Sequence, residues 1–346
     1  MEEIVALSVK HYVSDLHLCT GEPARWRRQG SIEMIPGKAP EPEPLLQAWL
    51  SQAQRTQFDA SGQLDFAVVL SDGQRLRANA FRQRQGVSLA LRLLPVSPPQ
   101  LSQLDVPARV PALLESQGGL LLVTGATGSG KSTTLAAMVD FINLHHARHI
   151  LTLEDPIEFV HTSRSSLVQQ REVGQHCASF SEGLRGALRE DPDVILLGEL
   201  RDEMTIRLAL TAADTGHLVL ATLHACGAPQ AIERLLDSFP ADEQNRVRAQ
   251  LASSLRAVLA QKLVTAHDGG RVALYEIMVN TPAVANLIRE GKLHQLAGVL
   301  QTGQYCGMQT FAQSLEQRRQ QGLVGEGQRQ SKANVLCDCR GTNDNQ

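Results

Sequence analysis

Gly125-Ala126-Thr127-Gly128-Ser129-Gly130-Lys131-Ser132 fits the spacing G-x-x-x-x-G-K-[ST], and its two flanks fix what must surround it. Before it, Leu120-Leu121-Leu122-Val123-Thr124 is a short apolar run of the kind a buried parallel strand requires. After it, Thr133 to Leu144 carries apolar residues at helical spacing. Strand, glycine-rich turn and helix in this order make a phosphate cradle. The glycines let backbone N–H groups close around phosphate oxygens, and the helix N-terminus adds positive potential. Lys131 is then expected on the β- and γ-phosphates and Ser132 on Mg²⁺. The chain is expected to bind a nucleoside triphosphate.

Further apolar runs at Ile150–Leu153, Val194–Leu197 and His217–Ala221 alternate with helical stretches, the pattern of a doubly wound parallel sheet. Ligands of such sheets bind beyond the carboxyl ends of the strands, so the polar residues there are the candidates for chemistry. The run Ile150–Leu153 is followed by Glu154-Asp155-Pro156-Ile157-Glu158. A carboxylate in this place can order an attacking water or the hydration shell of Mg²⁺, or it can simply favour a helix N-terminus begun by Pro156. Val194–Leu197 runs into Gly198-Glu199 and Arg201-Asp202, the form of a Walker B element with Gly where an Asp is common; Glu199 becomes the candidate ligand. His217 and His224 bracket the next strand. They can sense the γ-phosphate, bridge subunits, or be ordinary hydrogen-bonding residues. No further His or Cys stands at metal-ligand spacing, which excludes a zinc site.

The chain of 346 residues allows roughly two domains. Residues 1–95 contain alternating runs at Leu64–Leu70, Arg75–Phe81 and Val87–Leu94, expected as consecutive antiparallel strands, and a helix over Leu45–Phe58. Together they predict a small α+β domain with helices on one face of a sheet. Residues 96–111 hold Pro98, Pro99, Pro107 and Pro111 and are expected as a semi-rigid linker without regular helix. Residues 112–228 form the nucleotide-binding core, 229–324 read as mostly helical with breaks at Asp268-Gly269-Gly270 and Thr281-Pro282, and 325–346 are too polar to pack and are expected to be disordered.

Lys plus Arg number 33 against 36 Asp plus Glu, a net charge of −3 that offers no footprint for nucleic acid or an anionic membrane. No apolar stretch approaches the ~20 residues of a membrane span, and Met-Glu-Glu-Ile does not begin a secretory signal, so the expected compartment is the cytoplasm. The six cysteines are scattered and are expected as free thiols.

These boxes together resemble the secretion-ATPase superfamily, most closely its pilus-retraction, PilT-like branch. The likeness covers most of residues 1–322. It rests on Gly125 through Thr133, on Leu153-Glu154-Asp155-Pro156-Ile157-Glu158, on Leu188-Arg189-Glu190-Asp191-Pro192-Asp193 leading to Gly198-Glu199-Leu200-Arg201-Asp202, and on Thr215-Gly216-His217 through Thr222-Leu223-His224. In the first domain, Ser14-Asp15-Leu16-His17-Leu18 followed by Gly21-Glu22-Pro23 resembles the family's PAS-like domain. The resemblance implies α/β architecture, a PAS-like domain before a RecA-like ATPase domain with a helical C-terminal subdomain. It implies a homohexamer that binds ATP and Mg²⁺ through Gly125, Ala126, Thr127, Gly128, Ser129, Gly130, Lys131, Ser132 and Thr133. Glu158 would position or deprotonate water, Glu199 support Mg²⁺, and His217 and His224 complete the site. Arg77, Arg82 and Arg92 would be fingers acting on a neighbour's nucleotide. The partner would be an inner-membrane pilus platform protein, which holds the motor at the cytoplasmic face. Ala283-Val284-Ala285-Asn286-Leu287-Ile288-Arg289-Glu290 follows the branch's retraction sequence but has Ala285 where Arg is usual, and the four-cysteine zinc module of assembly and type II secretion relatives is missing. Pilus or pseudopilus assembly, type II secretion, and a nucleotide-stabilised ring without catalysis are the alternative readings.

Overall fold

The computed structural model describes residues 2–11, 13, 15–28, 31–35, 40–95, 97–267 and 269–325. Ser14, Asp268 and the tail from 326 on, with Cys337 and Cys339, lie outside the described residues. Two compact units are present: residues up to Ser97 with Glu158–Val160, and Pro98–Ile157 with the residues from His161 on.

The first unit runs α1 (Glu2–Lys10), β1 (Asp15–Cys19), β2 (Arg25–Arg28), β3 (Ser31–Met34), α2 (Pro42–Trp49), α3 (Gln52–Ser61), β4 (Gln63–Val69), β5 (Arg75–Gln83) and β6 (Gly86–Leu93). Its six strands form one antiparallel sheet in the order β3-β2-β1-β6-β5-β4. The three strands expected from alternation are β4 to β6, and each buries every second residue, as in Leu64, Phe66 and Val68. The short strands β2 and β3, Arg25-Trp26-Arg27-Arg28 and Ser31-Ile32-Glu33-Met34, carry too much charge and too little length for alternation to disclose them. The single helix expected over Leu45–Phe58 is two helices. Leu50 is extended and Ser51 caps α3 in a capping box with Gln54, which restarts the helix in a new direction.

The second unit continues with α4 (Arg109–Leu114), β7 (Gly119–Thr124), α5 (Lys131–His145), β8 (His149–Glu154), β9 (Leu167–Glu172), α6 (Phe180–Ala187), β10 (Val194–Leu197), α7 (Glu203–Asp214), β11 (Leu218–Leu223), α8 (Ala228–Asp237), α9 (Gln244–Ser254), β12 (Leu255–Thr265), β13 (Arg271–Val279), α10 (Pro282–Glu290), α11 (Leu296–Thr302) and α12 (Phe311–Gln320). Seven strands lie in the order β13-β12-β7-β11-β10-β8-β9. All neighbours are parallel except β12 with β13. The central strands β7, β10 and β11 are buried at every residue, the signature of a parallel sheet covered on both faces.

Two expectations are corrected here. The helices expected over 229–324 are interrupted by two strands that were not expected, because β12 and β13 complete the sheet and β12 pairs directly with the central β7. Leu255–Thr265 is apolar enough to pass for a buried helix segment, and only a neighbouring strand with open hydrogen bonds decides for strand. The proline-rich stretch also contains helix: Leu101–Leu104 is a 3₁₀ turn with Leu101 buried, and α4 accepts Pro111 in its first turn, where the missing N–H has no partner to lose. Of the cysteines, Cys19, Cys177 and Cys306 are free thiols as expected, whereas Cys226 is disulfide-bonded, against that expectation.

Candidate nucleotide-binding site

Four strands deliver the polar boxes to one edge of the sheet. β7 ends in the glycine loop, β8 in Glu154, β10 in Gly198-Glu199 and β11 in His224. Their spatial order, β7-β11-β10-β8, seats His224 between the loop and Glu199. Accordingly, His224 Nδ1 lies 3.5 Å from Lys131 Nζ and His224 Nε2 lies 3.1 Å from Glu199 Oε1. Thr124 fastens the two strand ends together: its hydroxyl donates to Leu223 O at 2.9 Å and accepts from Ala225 N at 2.9 Å.

The loop closes tightly. Gly130 has φ +88°, and α5 begins at Lys131, so the helix N-terminus and its positive end point into the loop. A Cβ on Gly125 would stand 2.4 Å from Gln261 O and 2.5 Å from Ser129 Oγ. Gly125→Ala is therefore expected to weaken ADP binding roughly tenfold or more, the cost of displacing a strained loop, with the circular dichroism spectrum unchanged. Titration with a fluorescent ADP checks this, and wild-type affinity would remove the argument from close packing.

The donors fit phosphate. Lys131 Nζ donates to Gly125 O at 2.9 Å and Ala126 O at 3.1 Å, and the Ser129 hydroxyl is buried without a partner among the described residues. Burial lowers the pKa of Lys131, and the nearby Glu199 carboxylate opposes that shift. His224 is lowered as well, by burial first and by Lys131 second, with Glu199 acting the other way. It is thus a neutral imidazole at neutral pH, and its contact with Glu199 is a hydrogen bond from Nε2–H rather than an ion pair. The same tautomer leaves Nδ1 free to accept from Lys131. Glu199 Oε2 in turn accepts from Arg201 Nε at 2.8 Å.

Ser132 is exposed in the first turn of α5, and Thr133 is half-buried beside it. Among the three carboxylates after β8, Glu154 Oε1 accepts from Thr152 at 2.7 Å and Gln170 at 3.1 Å, and Asp155 faces Arg201 at 3.9 Å. Among the described residues the Glu158 carboxylate has no protein partner. The preceding Ile157 is buried, and its N–H donates to Glu172 Oε2 at 3.0 Å.

His217 is not brought to this edge. It precedes β11, and the six-residue strand between it and His224 is about 20 Å long. It instead binds the opposite edge, where its carbonyl accepts from Gly119 N at 3.0 Å and its Nδ1 meets Ala212 O at 3.0 Å.

The arginines stand on the first unit's sheet. Arg77 on β5 and Arg92 on β6 are direct cross-strand neighbours, both exposed, and Arg92 Nε reaches Asp15 at 2.9 Å. Arg82 pairs with Asp59 at 2.6 Å and lies 5.3 Å from the Phe58 ring. Two residues were missed in the sequence: Gln261, which packs under the loop from β12, and Glu172, which fixes Ile157. Neither belongs to a recognisable spacing, and both reach the site from strands distant in sequence.

The family model for type II/IV secretion system proteins matches residues 61–325. The chain belongs to this family. It is 65% identical over 327 residues to the Escherichia coli K12 uncharacterized protein YggR, covering 94% of this chain and 99% of that protein. It is 45% identical over 336 residues to the Pseudomonas aeruginosa type IV pilus retraction ATPase PilT, covering 96% and 98%. The crystal structure of the pilus retraction motor PilT with bound ADP superposes with a TM-score of 0.86 at 43% identity, over 94% of each chain. That the relative is an ADP complex agrees with a nucleotide at the loop described above.

Proposed function

We propose that this chain is the ATP-hydrolysing subunit of a motor that retracts type IV pili. The observation that carries the reading is the contact of Lys131, His224 and Glu199 at one sheet edge, in a chain that shares nearly the full length of a pilus retraction ATPase. Glycines 125, 128 and 130 with Lys131 and Thr133 hold the phosphates, and Ser132 with Glu199 steadies Mg²⁺. Among the described residues no cluster of three His, Cys, Asp or Glu groups could cage a metal, which suits a cation carried largely by the nucleotide's own oxygens. Glu158 orients or deprotonates the attacking water, and His224 links the ammonium of Lys131 to Glu199.

The first unit is a PAS-like domain. Arg77 and Arg92 are direct cross-strand neighbours on one exposed face, and with Arg82 they are the fingers offered to a neighbour's nucleotide in a homohexameric ring, Arg92 and Arg82 exchanging Asp15 and Asp59 for phosphate. The load is an inner-membrane platform protein. No helix of the described residues is long and apolar enough to cross a membrane; the platform partner is what would hold the motor at the cytoplasmic face.

Pilus dynamics decide the load. In cells lacking this chain, single labelled pili are expected to extend without retracting, and a wild-type copy, but not a Glu199→Ala copy, to restore retraction. Normal retraction without the chain, or full restoration by Glu199→Ala, would overturn the proposal.

A further inference from the structure

The five residues Ile157-Glu158-Phe159-Val160-His161 are gripped at both ends from one strand. At the near end, Ile157 N–H donates to Glu172 Oε2 at 3.0 Å; at the far end, His161 N–H donates to Gln170 Oε1 at 2.8 Å. Gln170 and Glu172 stand two apart on β9, so both side chains leave the same face of the strand. Between the two grips, Glu158 O accepts from Arg75 Nη1 at 3.0 Å, while the Glu158 carboxylate has no protein partner among the described residues.

Glu172 is 6% exposed, and a buried carboxylate is costly unless donors satisfy it. Among the described residues its donors are two neutral amides, the Ile157 N–H and the Gln175 side chain, so the charge serves to hold backbone and not to pair with a cation. A charged acceptor makes the stronger hydrogen bond to an N–H. Gln170 is oriented in its turn. Its Nε2 donates to Glu154 Oε1 at 3.1 Å, and the same oxygen accepts from the Thr152 hydroxyl at 2.7 Å. Carboxylate oxygens accept, so the amide nitrogen must face Glu154 and the amide oxygen is left for His161. The first carboxylate of Glu154-Asp155-Pro156-Ile157-Glu158 thereby acts on the loop that carries the last.

We propose that Gln170 and Glu172 are positioning residues for Glu158: they fix the two ends of its loop, and Glu154 fixes Gln170. The inference rests on the reading of Glu158 as the group that orients the attacking water. A base displaced by about 1 Å can lose up to ~10²-fold in rate, so freeing one end of the loop slows the chemistry while the phosphate contacts stay as they are. In full-length protein, Gln170→Ala is expected to lower single-turnover ATP hydrolysis about 5- to 20-fold and to leave affinity for N-methylanthraniloyl-ADP within about twofold. Glu172→Ala is expected to fall in the same range, and Glu172→Gln, which keeps an oxygen for the Ile157 N–H, to recover most of the loss.

The deciding measurement is a double-mutant cycle with Glu158→Gln. Added to Glu158→Gln, Gln170→Ala is expected to cost no more than about twofold further, since a base that has been removed cannot be displaced; a merely structural glutamine would cost its full factor again. Full additivity, an unchanged rate in Gln170→Ala alone, or ADP affinity that falls with the rate overturns the proposal. If Gln170→Ala does not fold, Gln170→Asn decides in the same cycle, being one methylene too short to keep both His161 and Glu154. Wild-type turnover in Glu158→Gln refutes the reading of Glu158 itself and the positioning role with it; slow turnover in Glu158→Gln with an additive loss refutes the positioning role alone.

Discussion

Lys131→Ala is expected to abolish ATP hydrolysis, with turnover reduced at least ~10³-fold and nucleotide affinity by ~10²-fold, because two charge-assisted contacts to phosphate are lost from a partly buried site. The loop from Gly125 to Thr133 contains no other lysine or arginine to take its place. The loss also reaches across the sheet edge. Lys131 Nζ stands 3.5 Å from His224 Nδ1, so its removal leaves the imidazole without the charge that orients it toward Glu199. Steady-state hydrolysis and fluorescent-ADP titration on the same preparation measure both effects, and an unchanged melting temperature separates them from unfolding. Wild-type rates in the variant would refute the site.

The loop, its strand and its helix were readable because their chemistry is local: one spacing places glycines, lysine and hydroxyl within a single turn. The parallel sheet was readable for a related reason, since strands covered on both faces are continuous apolar runs, as β7, β10 and β11 are. What escaped depends on tertiary neighbours. β12 is a strand because β7 offers it an unpaired edge, and no residue within Leu255–Thr265 announces that. Gln261 reaches the loop only as a consequence of that pairing. A histidine at each end of a strand looks symmetrical in sequence, yet the six-residue strand holds the two about 20 Å apart, His224 beside Lys131 and His217 at Ala212. Composition alone leaves the three carboxylates after β8 open, and the family resemblance singles out Glu158; Glu154 and Asp155 have the protein partners Thr152, Gln170 and Arg201.

Glu158→Gln is expected to leave nucleotide affinity within about twofold and to lower turnover at least ~10²-fold, the loss characteristic of a water-orienting base. The substitution keeps size and hydrogen-bonding capacity and removes only the charge and basicity. Glu154 and Asp155 are poor substitutes for it, since the first is held by Thr152 and Gln170 and the second faces Arg201. Glu158 is half-buried between buried Ile157 and Phe159, and its carbonyl accepts from Arg75 Nη1 at 3.0 Å. Buried neighbours on both sides restrict the wandering of an otherwise unpartnered side chain, which is the arrangement that ordering one water demands. A single-turnover experiment with radiolabelled ATP separates chemistry from product release. A slow burst with normal binding is the expected result; if affinity falls together with the rate, Glu158 is a structural or metal-supporting group and the base must be sought elsewhere.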